Sequence, residues 1–426
     1  MAKYSTTIQT KYLDPVSHSN SRTVFRLPND EQYYPNFKLS DLGVLTDADT
    51  TYTNGGIYGM IRSIAIYSGQ EQIDRLEDVS RYANFKNRLN TNSSNKDINK
   101  YNNRSGLGYE IDMAQQITHV RAANSVNATI VPHNLGLIQL SDVLPVLRNL
   151  SLWDTSKLQN SSLVIEWNSD VINFLQDTSK TVASVVRPVL ICDNITGSPD
   201  VKALNTIQSN VVQFNSIVHD VVQLPAVDIS SLDAAALGTK ITQPIQQKLG
   251  SLRTRVVQDV VMIKEFSDRA LSLDGTNVIG DGVLRSPVMI NENVNFRVNG
   301  QPIFTSPIVY DSTKSQLVQE IFGPINRQPY ENEISIGLDN PKNTTTAVEN
   351  NFIGIPSNRD QVGMNSLMAV KLNNRVNTFE VEYSRDCYHD TLAKKIYSAG
   401  INLHFFASVG KVIQFSNNSF TVQYLT

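Results

Sequence analysis

Apolar and polar residues alternate along the chain in short bursts, and turn-forming residues bound most of them. In the first half the bursts are Thr23-Val-Phe-Arg-Leu27, Ile61-Arg-Ser-Ile-Ala-Ile-Tyr67, Leu163-Val-Ile-Glu-Trp167, Val189-Leu-Ile-Cys192 and Val211-Val-Gln-Phe-Asn-Ser-Ile-Val218. The second half has residues 253–263, then Val294-Asn-Phe-Arg-Val298, Phe379-Glu-Val-Glu-Tyr383, Leu403-His-Phe-Phe406, Val412-Ile-Gln-Phe415 and Phe420-Thr-Val-Gln-Tyr424. A period of two sends successive side chains to opposite faces of an extended backbone, and β-branched and aromatic residues suit such a pleated surface. Short strands spread from end to end predict an all-β chain of antiparallel sandwiches rather than a parallel α/β sheet.

Helical patterns are few and local. Residues 78–89 carry Val79, Tyr82 and Phe85 at spacings of three; residues 312–322 repeat the stripe with Leu317, Val318 and Ile321. Residues 141–150 open on Ser141, a good N-cap, but Pro145 strains a regular helix there. These predict short helices set into loops. Three long polar stretches, 43–56, 90–108 and 338–365, predict loops that project from the body or bind something. Residues 224–237, rich in Pro, Ala, Ser and Asp, interrupt the β pattern near the middle and are the best linker candidate. With 426 residues, the chain exceeds the roughly 100–200 of one domain, so two are expected.

The halves also resemble each other. Leu163-Val-Ile-Glu-Trp-Asn-Ser-Asp170 aligns without gaps with Phe379-Glu-Val-Glu-Tyr-Ser-Arg-Asp386, matching Glu166 to Glu382, Trp167 to Tyr383 and Asp170 to Asp386. Upstream, Ala65-Ile-Tyr-Ser-Gly-Gln70 answers Phe296-Arg-Val-Asn-Gly-Gln301, each ahead of a helical stripe. Downstream, strands at Val189 and Val211 answer strands at Leu403 and Val412. Recurrence in the same order points to duplication of one β-sandwich.

Charge and chemistry narrow the function. A net charge of -3 with a pI near 6.1 supplies no basic field to neutralise phosphates, so no specific nucleic-acid binding is expected. Cys192 and Cys387 are too few for a disulfide framework, which fits folding in a reducing, intracellular setting. The N-terminal MAKYSTTIQTKYLDPVSHSNS lacks an apolar core, so secretion is not expected. No apolar run reaches the roughly 18 residues of a membrane span.

Catalytic candidates fare poorly. Asp386-Cys-Tyr-His-Asp390 gathers two carboxylates, a thiol and an imidazole. In an extended strand, Asp386 and Asp390 face away from Cys387 and His389, and the segment reads as a polar turn after a strand. Glu380 and Glu382 share a strand face as a glycosidase pair might, but no cleft is announced around them. His18, His119, His133, His219 and His404 show no ligand spacing. There is no GxSxG elbow and no GxxxxGK[ST] phosphate loop: Gly275-Thr-Asn-Val-Ile-Gly280 lacks the Lys. Asp274-Gly275 and Asp281-Gly282 are turn pairs without the closing Glu of a calcium loop. Trp153, Trp167, Tyr33 and Tyr34 could stack on a sugar, although the alternation of Trp167 with Ile165 favours core packing. No catalytic, cofactor-binding or metal residue is therefore assigned, and no enzyme is expected.

The two Gly-Gln turns, residues 133–148, Val164-Ile-Glu-Trp167, residues 211–225 and above all residues 401–424 resemble the double jelly-roll major capsid proteins of the adenovirus and tailless-phage lineage, particularly those of Polinton-like viruses and virophages. That resemblance covers nearly the whole chain. It implies two tandem eight-stranded jelly rolls, residues 21–225 and 246–426, with an N-terminal arm over 1–20 and a linker over 226–245. It further implies a homotrimer of pseudo-hexagonal outline that tiles the icosahedral shell of a double-stranded DNA virus. Partners would be neighbouring capsomers and penton and minor or cement proteins, and the arm would lie beneath the shell, near an internal membrane or neighbouring capsomers. The alternatives are a two-domain carbohydrate-binding or spike protein and a jelly-roll glycan hydrolase.

Overall fold

A computed structural model describes residues 7–46, 56–83, 136–169, 182–196, 211–229, 240–267, 290–308, 367–388, 398–416 and 419–426. In the first half the principal strands are β1 (Thr7–Leu13), β2 (Arg22–Arg26), β3 (Gln32–Leu42), β4 (Ile61–Ser68), β5 (Glu71–Glu77), β6 (Gly136–Gln139), β7 (Ser161–Trp167) and β8 (Val189–Thr196). The second half repeats them as β9 (Val211–Leu224), β10 (Lys240–Lys248), β11 (Arg255–Phe266), β12 (Ile290–Val298), β13 (Gln301–Pro302), β14 (Leu367–Val376), β15 (Phe379–Tyr388) and β16 (Ile401–Phe415). A last strand, β17 (Phe420–Tyr424), pairs with the end of β16.

Sheet order shows the duplication. The first half forms sheets β1-β8-β3-β6 and β2-β7-β4-β5; the second forms β9-β16-β11-β14 and β10-β15-β12-β13. Adding eight to each number converts one pair of sheets into the other, and all the ladders between these strands are antiparallel. In each half the first strand pairs with the last, a double-sheet jelly roll. The aligned blocks fall on equivalent strands, β7 and β15, with Asp170 outside the described residues. The Gly-Gln segments mark hairpin turns at equivalent places but of different type: Gly69, with φ of +60°, is the first central residue after β4, whereas Asn299 and Gly300, with φ of 53° and 82°, are both central after β12. Positive φ at both central residues is what makes Asn-Gly a hairpin turn.

Strand pairing divides the chain differently from the sequence-based boundaries. Thr7–Leu13, expected in an arm, pairs with β8 from Thr7↔Thr196 to Leu13↔Leu190. Val211–Leu224, expected to close the first sandwich, opens the second by pairing with β16 over its whole length. Lys240–Lys248, mostly assigned to the linker, is the edge strand β10, where Pro244 is tolerated because an edge has a side without ladder bonds. The separate strands expected at Leu403 and Val412 are one 15-residue strand, buried along nearly all its length, so period-two polarity vanishes between them. Asp386 and Cys387 lie inside β15, not in a turn after it.

Residues 79–83 are helical. At 141–150 the chain splits into a 3-10 turn (Leu140–Asp142) and one α-turn (Val146–Asn149), with Pro145 as the N-cap of the second. The expected helix over 312–322 and the long loops around 90–108 and 338–365 lie outside the described residues. No helix among the described residues is long and apolar enough to cross a membrane.

Each sandwich has its own filling. Tyr33, Phe37 and Trp153 form an edge-to-face run in the first, with centroids 6.1 and 6.0 Å apart. Trp153 Nε1 donates to Ser161 Oγ at 3.0 Å and Trp167 Nε1 to Thr23 Oγ1 at 2.8 Å. Both rings are buried with their polar atoms satisfied, as core indoles require. Phe296, Phe379, Val381, Leu403 and Phe405 fill the second.

Candidate functional site at the seam and the open sheet face

One face of the second sandwich lies against the first. Along β11, Val260 and Met262 point into the second core while Val261 and Ile263 join the core of the first. Ala369 on β14 and Phe406 on β16 do the same. Phe406 packs on Tyr82 of the 79–83 helix at 5.4 Å between centroids and on the His219 ring at 4.6 Å. The outward face of sheet β9-β16-β11-β14 is thus a buried seam that joins the halves.

Two polar clusters cross this seam. Asp74, fully buried on β5, accepts from Ser216 Oγ at 2.6 Å, from the Arg75 amide at 3.0 Å and from the Val146 amide at 3.2 Å. Lys411 reaches across to the Ile73 carbonyl at 3.2 Å. Burial raises the Asp74 pKa to about 6, against the pull of Ser216 and Lys411. Nearby, His219 Nε2 lies 3.1 Å from His404 Nδ1, and Asp78 Oδ2 lies 3.8 and 3.7 Å from those two nitrogens. Arg81 donates to the same carboxylate at 2.7 Å. Burial lowers the His219 pKa; Asp78, pushed up by burial, is held below the usual carboxylate range by Arg81, His219 and His404. The histidines dismissed for lack of ligand spacing therefore converge, because β9 and β16 are neighbours although 185 residues separate the two side chains. Spacing along the sequence could not have revealed this; only the strand order could.

Among the described residues, the other sequence candidates do not assemble into a reactive centre. Asp386 is paired with Lys240 at 2.6 Å and accepts from Thr242 at 2.7 Å, and Cys387 is buried; His389 and Asp390 lie outside the described residues. Glu382 pairs with Arg297. Glu380 accepts from Gln246 at 2.9 Å, a hydrogen bond that lowers its pKa, the opposite of what a general acid needs. Trp153, Trp167 and Tyr33 are buried, leaving Tyr34 alone of the proposed sugar platform at the surface. Among the described residues, His18 bonds Thr23 Oγ1 and the Val185 carbonyl. Lys264 donates to both Glu292 oxygens at 2.6 Å inside the second core, where Tyr383 also bonds Glu292.

No protein-family model matches the chain, and no curated protein matches it in sequence. Solved structures do match in shape. The PBCV-1 virus capsid superposes with a TM-score of 0.55 at 11% identity, over 100% of this chain and 98% of that one. The mavirus major capsid protein gives 0.53 at 9%, over 98% and 90%, and the Faustovirus major capsid protein 0.54 at 8%, over 98% and 92%. The fold is a double jelly roll.

Within this double jelly roll, no described residues cover the face of the first sandwich that corresponds to the buried face of the second. Register and alternation put Ile8, Thr10 and Tyr12 of β1, Asp193 of β8 and Tyr34 of β3 on the outward side of sheet β1-β8-β3-β6. Ile8 is 58% and Tyr12 71% exposed, and Val16 just beyond β1 is 61% exposed. Thr10 and Asn36 hold Asp193 from either side, at 2.8 and 2.6 Å. Two aromatic rings and a branched aliphatic among fixed polar groups have the composition of a protein-protein interface rather than of an ordinary charged surface.

Proposed function

We propose that the chain is a major capsid protein of a double-stranded DNA virus: a structural rather than catalytic subunit that self-associates as a homotrimer. The observation that carries this reading is the mismatch between two equivalent sheet faces, one buried by the neighbouring sandwich and one open with Ile8, Tyr12 and Tyr34 exposed. A second copy that docked its second sandwich on this open face would repeat the internal seam between chains. Such a contact is heterologous and closes into a ring if the rotation allows; three chains then present six sandwiches in a pseudo-hexagonal ring. The shared double jelly-roll fold of the PBCV-1, mavirus and Faustovirus capsid structures supports the same use. Pentons, cement proteins and an inner membrane would be met at the rim and base of such a capsomer.

Light scattering after size exclusion is the test. Chains of 47.4 kDa should elute as a species of ~142 kDa in native buffer, the mass of a closed trimer. A stable monomer at micromolar concentration overturns the reading.

A further inference from the structure

The atoms His219 Nε2, His404 Nδ1 and Asp78 Oδ2 form a triangle with edges of 3.1, 3.7 and 3.8 Å. A point equidistant from the three lies roughly 2.1 Å from each, the bond length of zinc to imidazole nitrogen and carboxylate oxygen. Two imidazoles and a carboxylate are a borderline-soft donor set that suits zinc, with a fourth position left for water. The carboxylate is fixed by its neighbours: Ser80 Oγ donates to the other oxygen, Asp78 Oδ1, at 3.0 Å, while Arg81 donates at 2.7 Å to Oδ2 itself, which keeps a second lone pair for an ion.

Backbone and packing place these groups. Asp78 follows β5 with φ of 55°, a left-handed conformation that Asp tolerates, and so turns the chain from the strand into the 79–83 helix with its carboxylate at the seam. His219 is fixed by stacking on Phe406. The imidazole planes lie within 5° of parallel with centroids 5.4 Å apart, meeting nitrogen to nitrogen. Rotation about the soft terminal torsion of each histidine redirects both lone pairs to a shared ion. Arg81 adds positive charge to the cluster, but Glu77 and Asp220 act on His219 with the opposite sign.

We propose that Asp78, His219 and His404 form a binding site for one divalent ion of the zinc class, which staples the first sandwich to the second. Asp78 comes from the first sandwich and both histidines from the second, so the ion would bridge them as a cross-link and not merely decorate one of them. This site is independent of the assembly reading, because its ligands come from one chain.

The full chain, stripped with a chelator and dialysed, is titrated with zinc chloride by calorimetry, and bound zinc is counted by mass spectrometry. The expected result is one ion per chain and a higher thermal midpoint with zinc. His219→Gln and His404→Gln should each weaken binding by at least about 100-fold. Cobalt(II) on the unaltered protein gives a readout that needs no variant: strong visible bands of a tetrahedral site are expected. No stoichiometric zinc, a weak octahedral cobalt spectrum, or binding unchanged in both folded variants overturns the proposal.

Discussion

In the second sandwich, the outward face of β9-β16-β11-β14 presents Val261, Ile263, Ala369 and Phe406 and lies beneath the first sandwich; in the first, the corresponding face presents Ile8, Thr10, Tyr12 and Tyr34 and lies open. The strand order is the same, and the chemistry has diverged with the fate of the surface. A permanently covered face is aliphatic and aromatic, with its few polar groups bonded in pairs across the contact. The open face keeps large rings that can bury area, but spaces them with Thr10, Asp193 and Asn36, which can be wet. Duplication thus yields one fold with two grades of interface: one made on folding, the other suited to contact between finished chains.

Breaking the covered face should cost the most. Phe406→Ala removes a ring that touches Tyr82 and His219, and a loss of about 3–5 kcal/mol in denaturant unfolding is expected. The transition should also separate into two, one for each sandwich; a single unshifted transition would count against a seam that couples them.

Acidity probes the same seam. Because Asp74 has a pKa near 6 when folded and an ordinary one near 3.8 when unfolded, the native chain binds the extra proton between those values. Its contribution is therefore greatest below about pH 4 and falls as pH rises towards 6, by on the order of 3 kcal/mol. Asp259, whose pKa burial also raises to about 6, acts in the same direction. His219 opposes both, since its lowered pKa means that stability is lost as pH falls below the ordinary imidazole range. Asp74→Asn should remove its share of the acidic slope in unfolding measured from pH 4 to 7, and an unaltered slope would show that Asp74 titrates normally.

On the open face the effect should move from folding to association. Tyr12→Asp is expected to leave monomer unfolding within about 0.5 kcal/mol while weakening self-association by about 2 kcal/mol or more, read by sedimentation equilibrium across a range of concentrations. Loss of folding stability instead would mean that Tyr12 belongs to a core. The smallest effects are expected at the duplicated pair Glu166 and Glu382. Glu166 accepts from Ser63 at 2.7 Å with Arg75 nearby at 3.6 Å, and Glu382 meets Arg297. Both pairs are partly solvated, so Glu→Gln at either should cost under about 1 kcal/mol, and equally in the two halves.

Much of this architecture is legible in the sequence, and the exceptions have physical causes. β12 and β15 alternate cleanly because Val294, Phe296, Phe379, Val381 and Tyr383 face a core, and Gly69 and Gly300 supply positive φ in the hairpin turns after β4 and β12. β16 has polar and small residues between its apolar ends, Ala407-Ser-Val-Gly-Lys411, yet it is buried on both sides and runs unbroken. β10 contains Pro244 and three glutamines, which read as linker until the sheet edge explains them. β1 has most of its residues exposed, so alternation gave it no signature. The seam clusters were illegible for a different reason: Asp74 meets Ser216 and Asp78 meets His404 only after both sandwiches have closed, and no spacing along the chain encodes that.

The pairing of first strand with last in each half also sets the order in which the molecule can be made. Thr7 must wait for Thr196, and Val211 for Gln414, so each ladder closes a loop of about two hundred residues. Such high contact order places folding towards the slow, millisecond-to-second end of the range. During vectorial synthesis the first sandwich has all its strands about two hundred residues before the second does, and the apolar face of β9 emerges well ahead of its partner β16. Phe214 and Ile217 of that strand, which pack into the first core, therefore emerge when all eight strands of the first sandwich have already been made.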